Sequence, residues 1–214
     1  MVIRTLPLVT GLAPLIGINL AYWIGANAEV LPSCIPYIDG CTSISATGRR
    51  PPGDRLFRAV MLPQAVLLAA TWYFAASWLR SLSPQTKAAM PALICGFIGA
   101  AALIVYVSYL GSKEPIYEFM RRFGIYLYFV GTAVGQMILT LALRRSRLRQ
   151  AMLVVLAVPW ILGLVNFAQK ALRADPDSLE NAIEWIASVF IQLWFLLLYV
   201  GWRRTGFEVS VRTG

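Results

Sequence analysis

No histidine occurs among the 214 residues, and only 10 are acidic. The first absence excludes His-containing catalytic triads and His-ligated zinc or haem sites. Charge of both signs is scarce as well: 14% of the chain is Asp, Glu, Lys or Arg, against about 25% in an ordinary soluble domain. Neither a metal nor another cofactor is expected. What is abundant is apolar surface. The chain is 58% hydrophobic, with seven Trp and ten Phe, and its mean hydropathy is +0.66. Read without position, a net charge of +9 and a pI of 9.9 suggest a nucleic-acid binder. The long uncharged runs point to the bilayer instead, and no nucleic-acid partner is expected.

A hydrocarbon core of roughly 30 Å takes about 20 apolar residues per helical crossing, so six crossings use about 120 residues. What remains is too little for a sizeable soluble domain. Six apolar stretches fit, at residues 6–28, 59–79, 91–110, 123–143, 151–168 and 182–202. A lipid-exposed backbone must satisfy its own hydrogen bonds, so each is expected to be a helix. Pro7, Pro14, Pro63 and Pro159 are expected to kink rather than break them. The first stretch has a rival reading, because Arg4, an apolar run and Ala26-Asn27-Ala28 resemble a signal peptide with its cleavage site. Its length, and its interruption by Asn19 and two prolines, favour an uncleaved first helix. The expected fold is an all-α membrane protein, one domain over residues 1–214, built as a six-helix transmembrane bundle with both termini cytoplasmic.

The orientation follows from sorting charges by side. With the amino terminus inside, Arg4, Arg80, Lys87, Arg144, Arg145, Arg147, Arg149, Arg203, Arg204 and Arg212 are cytoplasmic, opposed only by Glu208. Outside lie Arg49, Arg50, Arg55, Arg58, Lys113, Arg121, Arg122, Lys170 and Arg173. They are balanced there by Glu29, Asp39, Asp54, Glu114, Glu118, Asp175, Asp177, Glu180 and Glu184. The positive-inside rule counts Lys and Arg rather than net charge, and the compact basic clusters at 144–149 and 203–204 adjoin span ends. Cys34 and Cys41 fall in the first outer loop with six residues between them. Either they form a disulfide, as an oxidising compartment permits, or they are two free thiols. Cys95, within the third span, is a small packing residue. Asp177 with Glu180 three residues on forms a helix-start pattern for the last span. Such a chain is an integral multi-pass protein, of the inner membrane in a bacterium or of a secretory-pathway membrane in a eukaryote.

Four arginines and three hydroxyl residues fall within 43–58, just ahead of the second span: Ser43, Ser45, Thr47, Arg49, Arg50, Arg55 and Arg58. The guanidinium fork suits phosphate and carboxylate; the competing reading is an interfacial loop touching lipid phosphates nonspecifically. Glu118, Arg121 and Arg122 stand at i, i+3 and i+4, share a helical face and can pair. Gln136 lies mid-span near Gly131 and Gly135, a small-xxx-small pattern for close helix packing. Glu184 is the last acid before a long apolar run and fits a helix start. Asn166 and Gln169 are placed to hydrogen bond between helices. All of these except Gln136 approach the outer leaflet, where a bundle can converge them.

At these residues the chain resembles the family of FRAG, DRAM and Sfk proteins and the Cwh-type amino-terminal domain, which has a GPI-lipid-remodelling branch. Residues 43–58 are similar to the family's Pro-Ser-Ile-Ser-x-x-Gly stretch with a basic-aromatic ending, preceded by a cysteine matched by Cys34. Tyr106-Val107-Ser108, Glu118 and Gly135-Gln136-Met137 resemble its pattern around the fourth span, with Gln136 where the GPI branch has histidine. Ile183-Glu184-Trp185 resembles its Leu-Glu-aromatic at the last span. The resemblance implies a protein of lipid metabolism or trafficking. The expectation drawn from both lines is a pocket at the outer leaflet that binds an anionic lipid headgroup, with Arg49, Arg50, Arg58, Arg121 and Arg122 on phosphate. Ser43, Ser45 and Gln136 are further headgroup candidates, and Glu118 and Glu184 orient the arginines or bond headgroup hydroxyls. Two alternatives are an acyl-transfer enzyme using a Glu as base and a non-catalytic membrane scaffold; no protein partner is identifiable.

Overall fold

A computed structural model describes residues 3–112, 114–172 and 177–208. Lys113, Arg173, Asp175 and Arg212, counted in the charge sorting above, lie outside the described residues. A 3-10 turn at Ile3–Thr5 leads into α1 (Leu6–Asn27). The following segment carries two single-turn helices, α2 (Pro36–Asp39) and α3 (Ile44–Thr47). Then come α4 (Gly53–Leu82), α5 (Ala89–Ser108), α6 (Pro115–Ala142), α7 (Arg147–Ala171) and α8 (Asp177–Thr205). No strand occurs among the described residues. Six helices, α1 and α4 to α8, are long and apolar enough to cross a membrane.

Local chemistry accounts for several helix ends. Proline occupies the first turn of α1 and of α6, where its missing N–H costs nothing and its fixed φ is already helical. Ser146 caps α7 by accepting from the Arg149 amide at 3.2 Å. Pro14, Pro63 and Pro159 sit inside helices that continue through them. Two helices start well ahead of their apolar stretches, α4 at Gly53 rather than near 59 and α6 at Pro115 rather than near 123. The added turns carry Arg55 and Arg58, and Glu118, Arg121 and Arg122. Long charged side chains on a helix can lay their stems on apolar surface and hold their heads at the interface. At the start of α8 the Glu180 carboxylate reaches the Lys170 ammonium, 2.6 Å away on α7.

The six long helices form a ring in chain order. Each packs on its neighbour in sequence, and α8 closes the ring against α1. Association within lipid gains little from the hydrophobic effect and depends on close packing and interhelical hydrogen bonds; both are present. Gly131 and Gly135 lay α6 against α5: a Cβ at Gly131 would stand 3.0 Å from the Cys95 carbonyl oxygen, and one at Gly135 3.2 Å from that of Ala92. Gly96 makes room for the fully buried Trp72, which stacks on Trp194 with centroids 5.8 Å apart. The hydroxyls of Thr10 and Thr71 bond at 2.7 Å, and the Gln64 amide donates to the Thr10 carbonyl at 2.7 Å. Trp194 donates its indole N–H to the Thr140 hydroxyl at 2.8 Å. The outward faces present Ile16, Trp23, Val66, Val130, Val154 and Phe167, as lipid contact requires. The most peripheral helix is α7, whose buried residues are Met152 and Leu156.

One end of the ring, the loop face, carries residues 28–52 with the ends of α5 and α7 and the starts of α6 and α8. On the opposite, terminal face Arg4 pairs with Glu208 and also donates to the Phe207 carbonyl at 3.2 Å. Residues 28–52 fold down onto the bundle. Cys34 and Cys41 form a disulfide with Cα atoms 6.6 Å apart. The Trp185 indole is the seat for this cover: Tyr22 and Tyr37 meet its ring edge-to-face at 5.9 and 5.1 Å, and its N–H donates to the Thr42 carbonyl at 2.8 Å. Tyr22 also accepts from the Cys34 amide at 2.9 Å and donates to the Cys34 carbonyl at 2.8 Å. Gly40, at φ 57°, passes so close to Ser178 that a Cβ would stand 1.6 Å from its carbonyl oxygen.

Candidate functional site at the loop face

Directly beneath the cover, three separated segments bring charge and hydroxyls together. Ser43 is the N-cap of α3, accepting from the Ala46 amide at 3.1 Å. That turn aims the next residues at α8. The Ser45 hydroxyl lies 2.9 Å from the Tyr106 hydroxyl on α5 and 3.5 Å from a Glu184 carboxylate oxygen on α8. The amides of Ile44 and Ser45 also face that carboxylate. No Lys or Arg nitrogen comes within 4.0 Å of Glu184 among the described residues.

Arg49 follows α3 and is the electrostatic hub. It interacts with Arg121 and Glu118 of α6, with Tyr106 and with Glu184. Its pKa is drawn below the ordinary 12.5 first by desolvation and then by the like charge of Arg121, with Tyr106, Glu184 and Glu118 opposing. It stays protonated throughout the physiological range. Arg121 is the more enclosed partner, its side chain 13% exposed. It stands 3.6 Å from Glu118, and its Nε is buried with no hydrogen-bond partner. Glu118 gives its closer contact, 2.6 Å, to Arg122, which is 69% exposed.

The expected residues therefore divide. Ser45, Arg49, Glu118, Arg121 and Glu184 come together. Arg58 instead donates to the Leu110 carbonyl, fastening the start of α4 to the end of α5. Arg50 is exposed. Gln136, fully buried, donates its amide to the Ile191 carbonyl at 3.0 Å; it joins α6 to α8 two turns deeper than Tyr128. Asn166 and Gln169 lie on peripheral α7 and do not line the cleft described next.

Below Glu184 a narrow cleft runs down the inside of the ring between α1, α6 and α8. Its polar lining consists of Glu184, Ser188 and Gln192 on α8, with Tyr106 and Tyr128 opposite; Pro14, Leu15, Ile18, Ile44, Met61, Ile125 and Phe129 supply apolar walls. Gln192 donates its amide to the Tyr128 hydroxyl at 3.2 Å, leaving its own Oε1 buried and unpartnered. Ser188, Gln192 and Tyr128 escaped sequence reasoning. The available signal was the spacing of Glu184, Ser188 and Gln192 at i, i+4 and i+8, a single polar stripe on an otherwise apolar helix.

The class these features define is an integral multi-pass membrane protein whose loop face bears a charged, partly enclosed site over a largely apolar cleft bordered by Glu184, Ser188 and Gln192. No family model matches the chain, and no curated protein or solved structure matches it.

Proposed function

We propose that this protein binds a phosphate-bearing lipid headgroup at its loop face, held between Arg49 and Arg121. The observation that carries the reading is their convergence from different segments beside Glu184, with the enclosed Nε of Arg121 unpartnered. An unsatisfied buried donor costs about 1–3 kcal/mol, and a phosphate oxygen is a natural acceptor for a guanidinium fork. The resemblance to the FRAG, DRAM and Sfk family supports the same reading, since it implies work on membrane lipids. The experiment is purification in mild detergent followed by mass spectrometry of co-purifying lipids. Arg49→Ala with Arg121→Ala is expected to deplete one class of phospholipid about tenfold or more, on the scale of lost charge-assisted hydrogen bonds. An unchanged lipid profile with intact protein sinks the proposal.

The loop face is outward and both termini cytoplasmic in this reading. Supporting it are the basic clusters at the terminal face and a disulfide on the opposite face, where an oxidising compartment would keep it. A carboxyl-terminal fluorescent-protein fusion is expected to fluoresce, while an alkaline phosphatase fused at residue 113 is expected to be active. The reverse pattern overturns the orientation.

A second reading is acyl transfer, favoured by the Ser45 hydroxyl lying 3.5 Å from the Glu184 carboxylate. Glu184 would take the Ser45 or substrate hydroxyl proton as a general base. Turnover of lysolipid with an acyl donor is the discriminating measurement, because headgroup binding alone produces none.

A further inference from the structure

The arginines account for phosphate but leave Glu184 without a cationic partner. Its carboxylate borders the cleft, accepts only neutral donors from Ile44 and Ser45, and lies close enough to Arg49 to feel its charge without forming an ion pair. A carboxylate withdrawn from water is stabilised by a paired charge. The groups around it are suited to one: the Tyr106 hydroxyl lies on the Ser45 oxygen at 2.9 Å, and Tyr106 and Tyr128 line the same cleft.

We propose that the headgroup is that of an amino-phospholipid, with phosphate on Arg49 and Arg121 and its primary ammonium on Glu184. This rests on the headgroup reading above. Two features narrow the ammonium to a primary one. The cleft is narrow, with room for roughly one or two water-sized groups. An –NH₃⁺ group is close to water in size, whereas a trimethylammonium carries three further methyl groups. An –NH₃⁺ also has three donors to place, and Glu184 offers acceptor oxygens at the mouth of the cleft. Deeper down, Gln192, a residue 4% exposed, has its Oε1 buried and unpartnered. The shared chemistry is phosphoethanolamine, whether carried by a lipid or free in solution.

The test is native mass spectrometry of the full-length protein in detergent, titrated with four lipids of identical acyl chains: phosphatidylethanolamine, phosphatidylserine, phosphatidylglycerol and phosphatidylcholine. The two amine lipids are expected to bind about tenfold more tightly than the other two, the scale of one charge-assisted hydrogen bond. Glu184→Gln is expected to erase that preference while phosphatidylglycerol binding persists. Arg49→Ala with Arg121→Ala is expected to weaken all four. Should Glu184→Gln fail to fold, Ser188→Leu fills the cleft beneath an intact carboxylate and is expected to erase the preference as well. Equal binding of the four lipids, or a preference untouched by both cleft variants, overturns the ammonium assignment and leaves the phosphate reading standing. Failure of all four lipids to bind overturns both. Soluble phosphoethanolamine separates the sources: displacement of bound lipid means that the free group suffices, and lack of displacement ties recognition to the lipid.

Discussion

Gly96→Leu is expected to leave almost no folded bundle in detergent extracts. A single Cβ at this position would stand 2.1 Å from Cγ of the Trp72 indole, and leucine adds three more carbons. Trp72 has nowhere to retreat. It is fully buried, stacked on Trp194, met edge-to-face by Phe195 at 6.1 Å, and bordered on another side by Gly135. Overpacking a close-packed interior by a few carbons costs about 1–3 kcal/mol and occasionally more, and here the obstacle is a rigid ring. Gly96→Ala is expected to lower the melting temperature without abolishing folding. Trp72→Phe should recover part of that loss, because the smaller ring vacates the space the new methyl needs. Fluorescence-detected size-exclusion melting of the two single variants and the double variant measures the coupling directly. Strict additivity would show that Gly96 and Trp72 do not share this contact.

Trp185→Ala is expected to release the cover formed by residues 28–52 while leaving the ring of helices assembled. Removing a buried tryptophan costs about 3–5 kcal/mol. The loss falls on the edge contacts of Tyr22 and Tyr37 and on the bond to the Thr42 carbonyl. Trp185→Phe should lie between, keeping ring contacts but leaving that carbonyl without its donor. Limited proteolysis reads the effect as faster cleavage within 28–52 at an unchanged rate elsewhere. Tyr37 gives a second readout. Burial raises its phenol above the ordinary 10.0, against the lowering effect of its bond to Asn19. The folded state thus keeps Tyr37 neutral where the unfolded chain would ionise it, so its contribution is complete below pH 10 and is lost as pH climbs beyond. Freed from the seat, Tyr37 should titrate nearer 10.0 by ultraviolet absorbance. Unchanged cleavage and an unchanged titration would together remove Trp185 from this role.

The six crossings were legible because uncharged runs near the bilayer's thickness have few other uses. The ends of α4 and α6 were less so. Their first turns carry Arg55, Arg58, Glu118, Arg121 and Arg122, and hydropathy counts the charged heads while ignoring the aliphatic stems that allow a helix to continue. Glu118 with its two arginines could be read from i, i+3 and i+4 spacing alone, and their pairing is present. Arg58 and Gln136 show the limit of such reading. Each donates to a distant main-chain carbonyl, Arg58 in the turn after α5 and Gln136 on α8, and a carbonyl has no sequence signature. Residues 34 and 41 left disulfide and free thiols both open; only the fold of the cover brings them together. Glu184 was visible as the last acid before an apolar run, but its chemistry depends on Ser45 and Tyr106, brought to it by α3 and α5.

The ring packs each span mainly against the span before it, but α8 also closes onto α1 and bonds to α6, so its arrival governs when the ring is closed. During synthesis the first five spans can settle against their predecessors as they emerge. The loop-face site cannot. Glu184, Ser188 and Gln192 are on the sixth of the six spans, and Trp185 beside them is the seat awaited by a cover made more than a hundred residues earlier. Until α8 arrives, Arg49, Arg121 and the buried tyrosines face an unfilled gap in the ring. A chain stopped before α8 would retain five of the six crossings, lack Glu184, Ser188 and Gln192, and expose a polar seam to neighbouring helices.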